Sequence, residues 1–131
     1  MNRTIPSLTL FLLPDLFAIH RMPPDTPIPP DINSVPFFSI TKTNDELSMV
    51  LPEAITCKSE QSDGGWICFK VAGPLDFSLT GILANLSQIL ADAAISIFAV
   101  STFDTDYVLV KQDNRKAAIN ALQSAGHTVV I

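Results

Sequence analysis

Residues 66–131 read WICFKVAGPLDFSLTGILANLSQILADAAISIFAVSTFDTDYVLVKQDNRKAAINALQSAGHTVVI. Two periods of hydrophobicity alternate along this stretch. Trp66 to Ala72 reads as a strand, and Gly73-Pro74 stops it. From Phe77 to Ala94 the apolar positions Leu79, Ile82, Leu83, Leu86, Leu90 and Ala93 recur at helical spacing. Asp76 precedes this run and can accept the orphan N–H groups of a first turn. Ile95 to Thr102 is rich in β-formers, Phe103-Asp104-Thr105 makes a turn, and Asp106 to Lys111 reads as another strand. Asp113 to Ala125 is a second helix, with Ala118, Ile119, Leu122 and Ala125 on one face and Gly126 closing it; His127 to Ile131 is a final strand. The order β-α-β-β-α-β predicts an α+β fold of ferredoxin-like type, a four-stranded antiparallel sheet with both helices on one face.

The N-terminal half is less regular. Six prolines fall between Pro23 and Pro36, which forbids a helix or a central strand there. Before them, Leu8–Leu13 and Leu16–Met22 read as a hairpin or two adjacent strands; after them, Phe37–Thr43 and Glu46–Leu51 flank the turn residues Asn44-Asp45. Ser59 to Gly65 is polar, ends in Gly64-Gly65 and reads as a loop. A shift of about 60 residues lays Phe38-Ser39-Ile40-Thr41 on Phe98-Ala99-Val100-Ser101, and 45–50 on 105–110. The central hairpin of the C-terminal unit thus recurs in the first half, with prolines where a first helix would stand. The expected organisation is a degenerate unit over residues 1–62 and a regular domain over 63–131.

Composition narrows the function. The chain has 131 residues, 47% of them hydrophobic and 16% charged, enough to bury a core. A net charge of −5 with eight scattered basic residues argues against nucleic acid and against an anionic membrane surface. The apolar run Leu8–Leu13 is cut by Pro14-Asp15 and is far shorter than the roughly 20 residues of a membrane span. No signal-type cleavage site follows it, so a cytoplasmic protein is expected. Cys57 and Cys68 are too few for a disulfide framework and fit no zinc spacing.

The segment Gly73-Pro74-Leu75-Asp76-Phe77-Ser78-Leu79-Thr80-Gly81, followed by Ile95 to Val110, resembles small bacterial tandem ACT-domain proteins and the ACT repeats of the cytosolic arginine sensors. The likeness covers most of the chain and is strongest from Trp66 onward. It implies binding of an amino acid or similar metabolite between paired ACT units, in the service of regulation. In that family the loop after the first strand borders the effector site, which matches Gly73 to Phe77 here. The proline-rich segment departs from a regular ACT unit, and any regulated target would be another chain.

Two clusters are candidate ligand contacts. At Gly73, Pro74, Leu75, Asp76, Phe77 and Ser78 a strand ends and a helix begins, so free N–H groups and the helix dipole favour a carboxylate. The same residues also read as a tight turn in which Asp76 caps its own helix. At Ser101, Thr102, Phe103 and Asp104, extended by Asp106, hydroxyls and carboxylates can receive an ammonium or guanidinium group. Asp104 also reads as an ordinary turn residue. No nucleophile, metal set or cofactor fingerprint accompanies these acids, so neither enzyme activity nor a cofactor or metal is expected. His20 and His127 lack metal-type partners nearby in sequence. The expected role is a small-molecule sensor, and the alternative is a ligand-free interaction module. Ile97 and Ala99 alternate with Phe98 and Val100, so both faces of that strand are apolar, and a second unit or a homodimer partner is expected to cover one of them.

Overall fold

The computed structural model describes residues 6–73 and 80–131. Eight strands are present among them: β1 (Thr9–Leu12), β2 (Phe17–Met22), β3 (Ser39–Lys42), β4 (Leu47–Pro52), β5 (Gln61–Val71), β6 (Phe98–Ser101), β7 (Asp106–Lys111) and β8 (Thr128–Val130). Two α-helices accompany them, α1 (Ile82–Asp92) and α2 (Arg115–Ser124). The chain does not divide at one point. Residues up to Pro14 group with Ile67–Ile131, and Asp15–Trp66 form the other unit.

The C-terminal unit follows the expected order β5-α1-β6-β7-α2-β8. Its sheet differs from the expectation in one respect. The N-terminal strand β1 lies between β5 and β8, antiparallel to the first (Leu10 opposite Val71) and parallel to the second (Leu10 opposite Val129). The strand sequence is therefore β8-β1-β5-β7-β6, with β6 antiparallel to β7. This also settles the two apolar runs near the N-terminus. They are not a hairpin, because β1 pairs with the end of β5 whereas β2 pairs with β4 and with residues 61–66. Leu13 N–H still donates to the Cys68 carbonyl at 2.9 Å, and Pro14, with no amide hydrogen, ends that ladder.

Helix α1 buries Ile82, Leu86 and Leu90, one stripe at the spacing read from the sequence. Helix α2 buries Ala118 and Leu122, packs against α1, and rests on β7 and β8. Both helices end in the same hydrogen-bonded motif. In α2, Gly126 N–H donates to Gln123 O and His127 N–H to Leu122 O, with Gly126 at φ 97°. In α1, Ala94 N–H donates to Ala91 O and Ile95 N–H to Leu90 O. There the left-handed position is filled by Ala94, at φ 60°.

In the second unit β3-β4-β2 forms an antiparallel sheet that continues onto the first half of β5. Where a first helix would stand, the proline segment makes one 3-10 turn over Pro30–Ser34, and Ile32 from that turn joins Met22, Leu47, Met49 and Leu51 in the core. The polar stretch before Trp66 is strand rather than the expected loop, with exposed side chains over residues 61–64. The two glycines mark a bulge in it. Between the pairs Phe17–Trp66 and Ile19–Asp63, β5 carries one residue more than β2. Gly65 takes φ 74° and donates its N–H to Glu53 Oε2 at 3.0 Å, while a Cβ on Gly64 would stand 2.9 Å from that same oxygen.

The two hairpins share a register at an offset of 59 residues, against the expected shift of about 60. Ser39 faces Val50 as Phe98 faces Leu109. Both turns open on threonine. Thr43 N–H donates to Glu46 O at 2.9 Å and Thr102 N–H to Thr105 O at 2.9 Å, and in each case the threonine hydroxyl accepts the fourth residue's N–H.

A left-handed non-glycine residue costs roughly 1–2 kcal/mol, partly offset by the extra chain entropy glycine loses on folding. Ala94→Gly is therefore expected to stabilise the protein by about 1 kcal/mol, read as a raised urea midpoint at unchanged slope.

Candidate functional site

Strand β5 delivers the chain to Val71, Ala72 and Gly73, where the sheet stops. Ala72 N–H donates to Thr9 O at 2.8 Å, so the start of β1 flanks this end. The turn between β6 and β7 reaches the same place. Thr105, 4% exposed, donates its hydroxyl to the Val71 carbonyl at 2.7 Å. That bond holds the turn carrying Ser101 to Asp104 at the end of β5, two residues before Gly73. Pro74, Leu75, Asp76, Phe77 and Ser78 lie outside the described residues.

The hairpin cluster is exposed at Ser101, Thr102, Phe103 and Asp104. Ser101 donates to Asp106 Oδ1 at 2.6 Å, which ties one of the two carboxylates into the hairpin. The turn amide of Thr105 is held by the Thr102 hydroxyl at 3.3 Å, a role open to Asp104 in the sequence reading. Asp104 extends into solvent. Phe103 is 80% exposed at the tip. Burial first, then the negative charge of Asp104, raises the Tyr107 phenol above its usual value. Cys68 is itself pushed up to about 12 by burial, so it is a neutral thiol at physiological pH, and both cysteines are free.

Helix α1 starts later than expected. Its first residue is Ile82, not Phe77, and its N-cap is Gly81. Asp76 is thus not the N-cap of α1. Gly81 has no side chain to serve the first-turn N–H groups, and no acid follows in that turn.

Three polar residues at this end escaped the sequence reading. Thr105 looks like a turn residue until its hydroxyl is seen on Val71. His127 and Asn85 are joined through His127 Nε2 and Asn85 Oδ1 at 2.9 Å, while Leu8 N–H donates to His127 Nδ1 at 3.0 Å. The partners are 42 and 119 residues apart, so no local pattern could reveal them. Elsewhere, an open cleft of about 340 Å³ lies between the first turn of α2 and Ile131, lined in part by Arg115, Lys116 and Ile119. It contains none of the residues singled out above. Among the described residues no group of three or more His, Cys, Asp or Glu side chains is placed to hold a metal ion, and no helix is long and apolar enough to cross a membrane.

Fold and site together define a small α+β domain whose strand-end, turn and helix-start converge at one edge. Comparison with known proteins agrees. The ACT-domain profile matches residues 61–124, and a second profile, for an N-terminal domain, matches 15–58. Over 130 residues the chain is 33% identical to the cytosolic arginine sensor for mTORC1 subunit 1 of Pongo abelii, covering 92% of this chain and 39% of that protein. The human protein of the same name is 32% identical over the same shares. The chain thus spans about 39% of the length of these curated relatives. A crystal structure of an Agobacterium tumefaciens protein superposes with a TM-score of 0.88 at 36% identity, covering 96% of this chain and 94% of that one. The ligand-free regulatory subunit of aspartate kinase from Thermus thermophilus superposes with a TM-score of 0.62 at 14% identity, over 89% and 96% of the two chains, a likeness of fold alone. The chain belongs to the ACT-domain family.

If Thr105 pins the turn to β5, Thr105→Val removes a buried donor and leaves the Val71 carbonyl unpaired. The expected loss is about 1–2 kcal/mol of stability. Amide exchange should quicken at Thr102 and Thr105 before it does in α2; equal protection in both proteins would show that the bond contributes nothing.

Proposed function

We propose that this chain is a regulatory module without catalytic activity, which binds a free amino acid or a similar zwitterion at the β5 end of its ACT domain and transmits occupancy to another protein. The observation that carries this reading is the Thr105–Val71 bond, which sets the exposed Asp104 and the hydroxyls of the turn beside Gly73. Asp104 offers a carboxylate to an ammonium or guanidinium group. The start of α1, whose N-cap Gly81 has no side chain, offers N–H groups and a partial positive charge to a carboxylate. A zwitterion carries both complements. Kinship with the arginine sensors supports the same ligand class, and arginine is the first candidate. The repeated hairpin supports reading the N-terminal half, residues 1–62 in the sequence analysis, as a reduced ACT-like unit. Regulation would follow by linkage, in which a ligand that prefers one arrangement of units shifts the population toward it.

One observation favours a second reading, a purely structural dimerisation module. β6 pairs only with β7 among the described residues, and Ala99 on it is exposed. An edge of that kind can receive a second copy.

A thermal-shift screen of the common amino acids separates the two. At a hundredfold excess over its Kd a true ligand adds about 2.7 kcal/mol of stability, which moves the transition by several degrees. At least one amino acid is expected to do this, and Asp104→Asn to weaken its binding by about tenfold, or about 1.4 kcal/mol. A flat response across the set, with a persistent dimer by light scattering, would favour the structural reading.

A further inference from the structure

His127 is 7% exposed and bonded at both ring nitrogens. Because Leu8 N–H donates to Nδ1, that nitrogen carries no proton, and Nε2–H is left to donate to Asn85 Oδ1. The neutral ring in this tautomer satisfies both partners at once. A proton on Nδ1 would turn an acceptor into a donor facing a donor and leave the Leu8 amide unpaired.

The two partners sit at the two anchors of segment 74–79. Leu8 precedes Thr9, whose carbonyl holds Ala72 N–H, one residue before Gly73. Leu8 O also accepts Thr128 N–H at 2.8 Å, and Ser7 donates to Gly126 O at 2.6 Å, so the strand and the α2 turn are fastened together there. Asn85 lies in the first turn of α1, with its own N–H on Gly81 O at 2.8 Å. One buried imidazole therefore ties the chain entering the segment to the chain leaving it.

We infer that His127 is a proton-sensitive clamp on the candidate ligand end, closed when the ring is neutral and released when it is protonated. Its effect on binding rests on the function proposed above; the clamp itself does not.

Few charges face this ring. β1 and β8 carry none, and Lys70 is the one charge in residues 67–71 of β5. In α1 only Asp92 is charged, two turns beyond Asn85 and bonded by Gln88; in α2 Arg115 and Lys116 stand at the end away from His127. Cys68 of β5, Asp106, Tyr107 and Lys111 of β7, Asp104 before it and Asp113 after it complete the set on the described elements of this unit. Burial alone accordingly sets the direction, pushing the imidazole below its ordinary value. For a histidine depressed in the folded state, the stabilising contribution is complete above the unfolded value near 6.5 and is lost as pH falls from there toward the folded value.

The test compares wild type with His127→Asn, whose side-chain oxygen can still accept from Leu8 N–H but does not titrate. Amide exchange at Leu8 and Asn85, corrected for intrinsic rates, is followed between about pH 7.5 and about pH 5.5, with L-arginine titrated in parallel. Wild type is expected to lose about tenfold in protection at both amides on acidification, and His127→Asn to stay level. Unchanged protection in wild type, or the same loss in His127→Asn, would overturn the clamp. Should His127→Asn fail to fold, the nitrogen-15 shifts of His127 in wild type decide. The Nε2–H tautomer throughout the drop in Leu8 protection would contradict the proposal, and protonation in step with it would support it. Arginine affinity is expected to fall with protection. If arginine binds at neither pH while the clamp opens as stated, the ligand reading fails and the clamp stands; if it binds equally at both while the clamp opens, the link between them fails.

Discussion

Strand β1 is four residues long and is hydrogen-bonded along both edges, to β5 on one side and to β8 on the other. The rest of the C-terminal unit depends on that insertion. In a plain βαββαβ chain the last strand would pair directly with the first, antiparallel to it. Here a strand from the other end of the sequence occupies that slot, and β8 must pair parallel to it. Leu10 is 1% exposed in the middle of β1, so the insertion is part of the core rather than a decoration on its edge. Deleting a buried leucine of this kind removes both transfer free energy and packing, at roughly 2–5 kcal/mol. The C-terminal ACT domain is for this reason not a continuous piece of chain.

That constraint shapes the candidate site. β1 begins beside Ala72, so the strand that completes the sheet also borders the place where β5 gives way to the segment before α1. The β6–β7 turn is drawn to the same edge by Thr105, and α1 is drawn to it by His127 through Asn85. Three long-range hydrogen bonds, one between backbone groups and two using a buried side chain, thus gather elements that the topology only brings into the neighbourhood. Buried polar groups must find partners, and here the partners are backbone or side-chain atoms at this edge.

Much of this was readable in the residues. The apolar spacing of Ile82, Leu86 and Leu90 marks α1, Gly126 marks the end of α2, and the strands of the two hairpins resemble one another at a shift of about 60 residues. What misled was local chemistry that tertiary structure overrode. Gly64-Gly65 reads as a loop, yet these are the residue types a bulged strand needs where a Cβ would meet Glu53 and where φ is positive. Asp76 reads as a helix cap because Phe77 continues the apolar period back to Leu79, but the helix starts at Ile82. The insertion of β1 and the bonds of His127 could not be read at all, since they join residues 42 to 119 apart and leave no periodic trace.

The proposed function stands or falls on a zwitterionic ligand binding at this edge of the ACT domain. A heteronuclear NMR titration of the isotope-labelled chain with amino acids tests it residue by residue. Saturable shifts are expected to centre on Gly73, Gly81 and 101–105, with α2 and the 3-10 turn at Pro30–Ser34 unaffected. Saturable shifts centred instead on Arg115, Lys116 and Ile119, with the β5 edge silent, would contradict it.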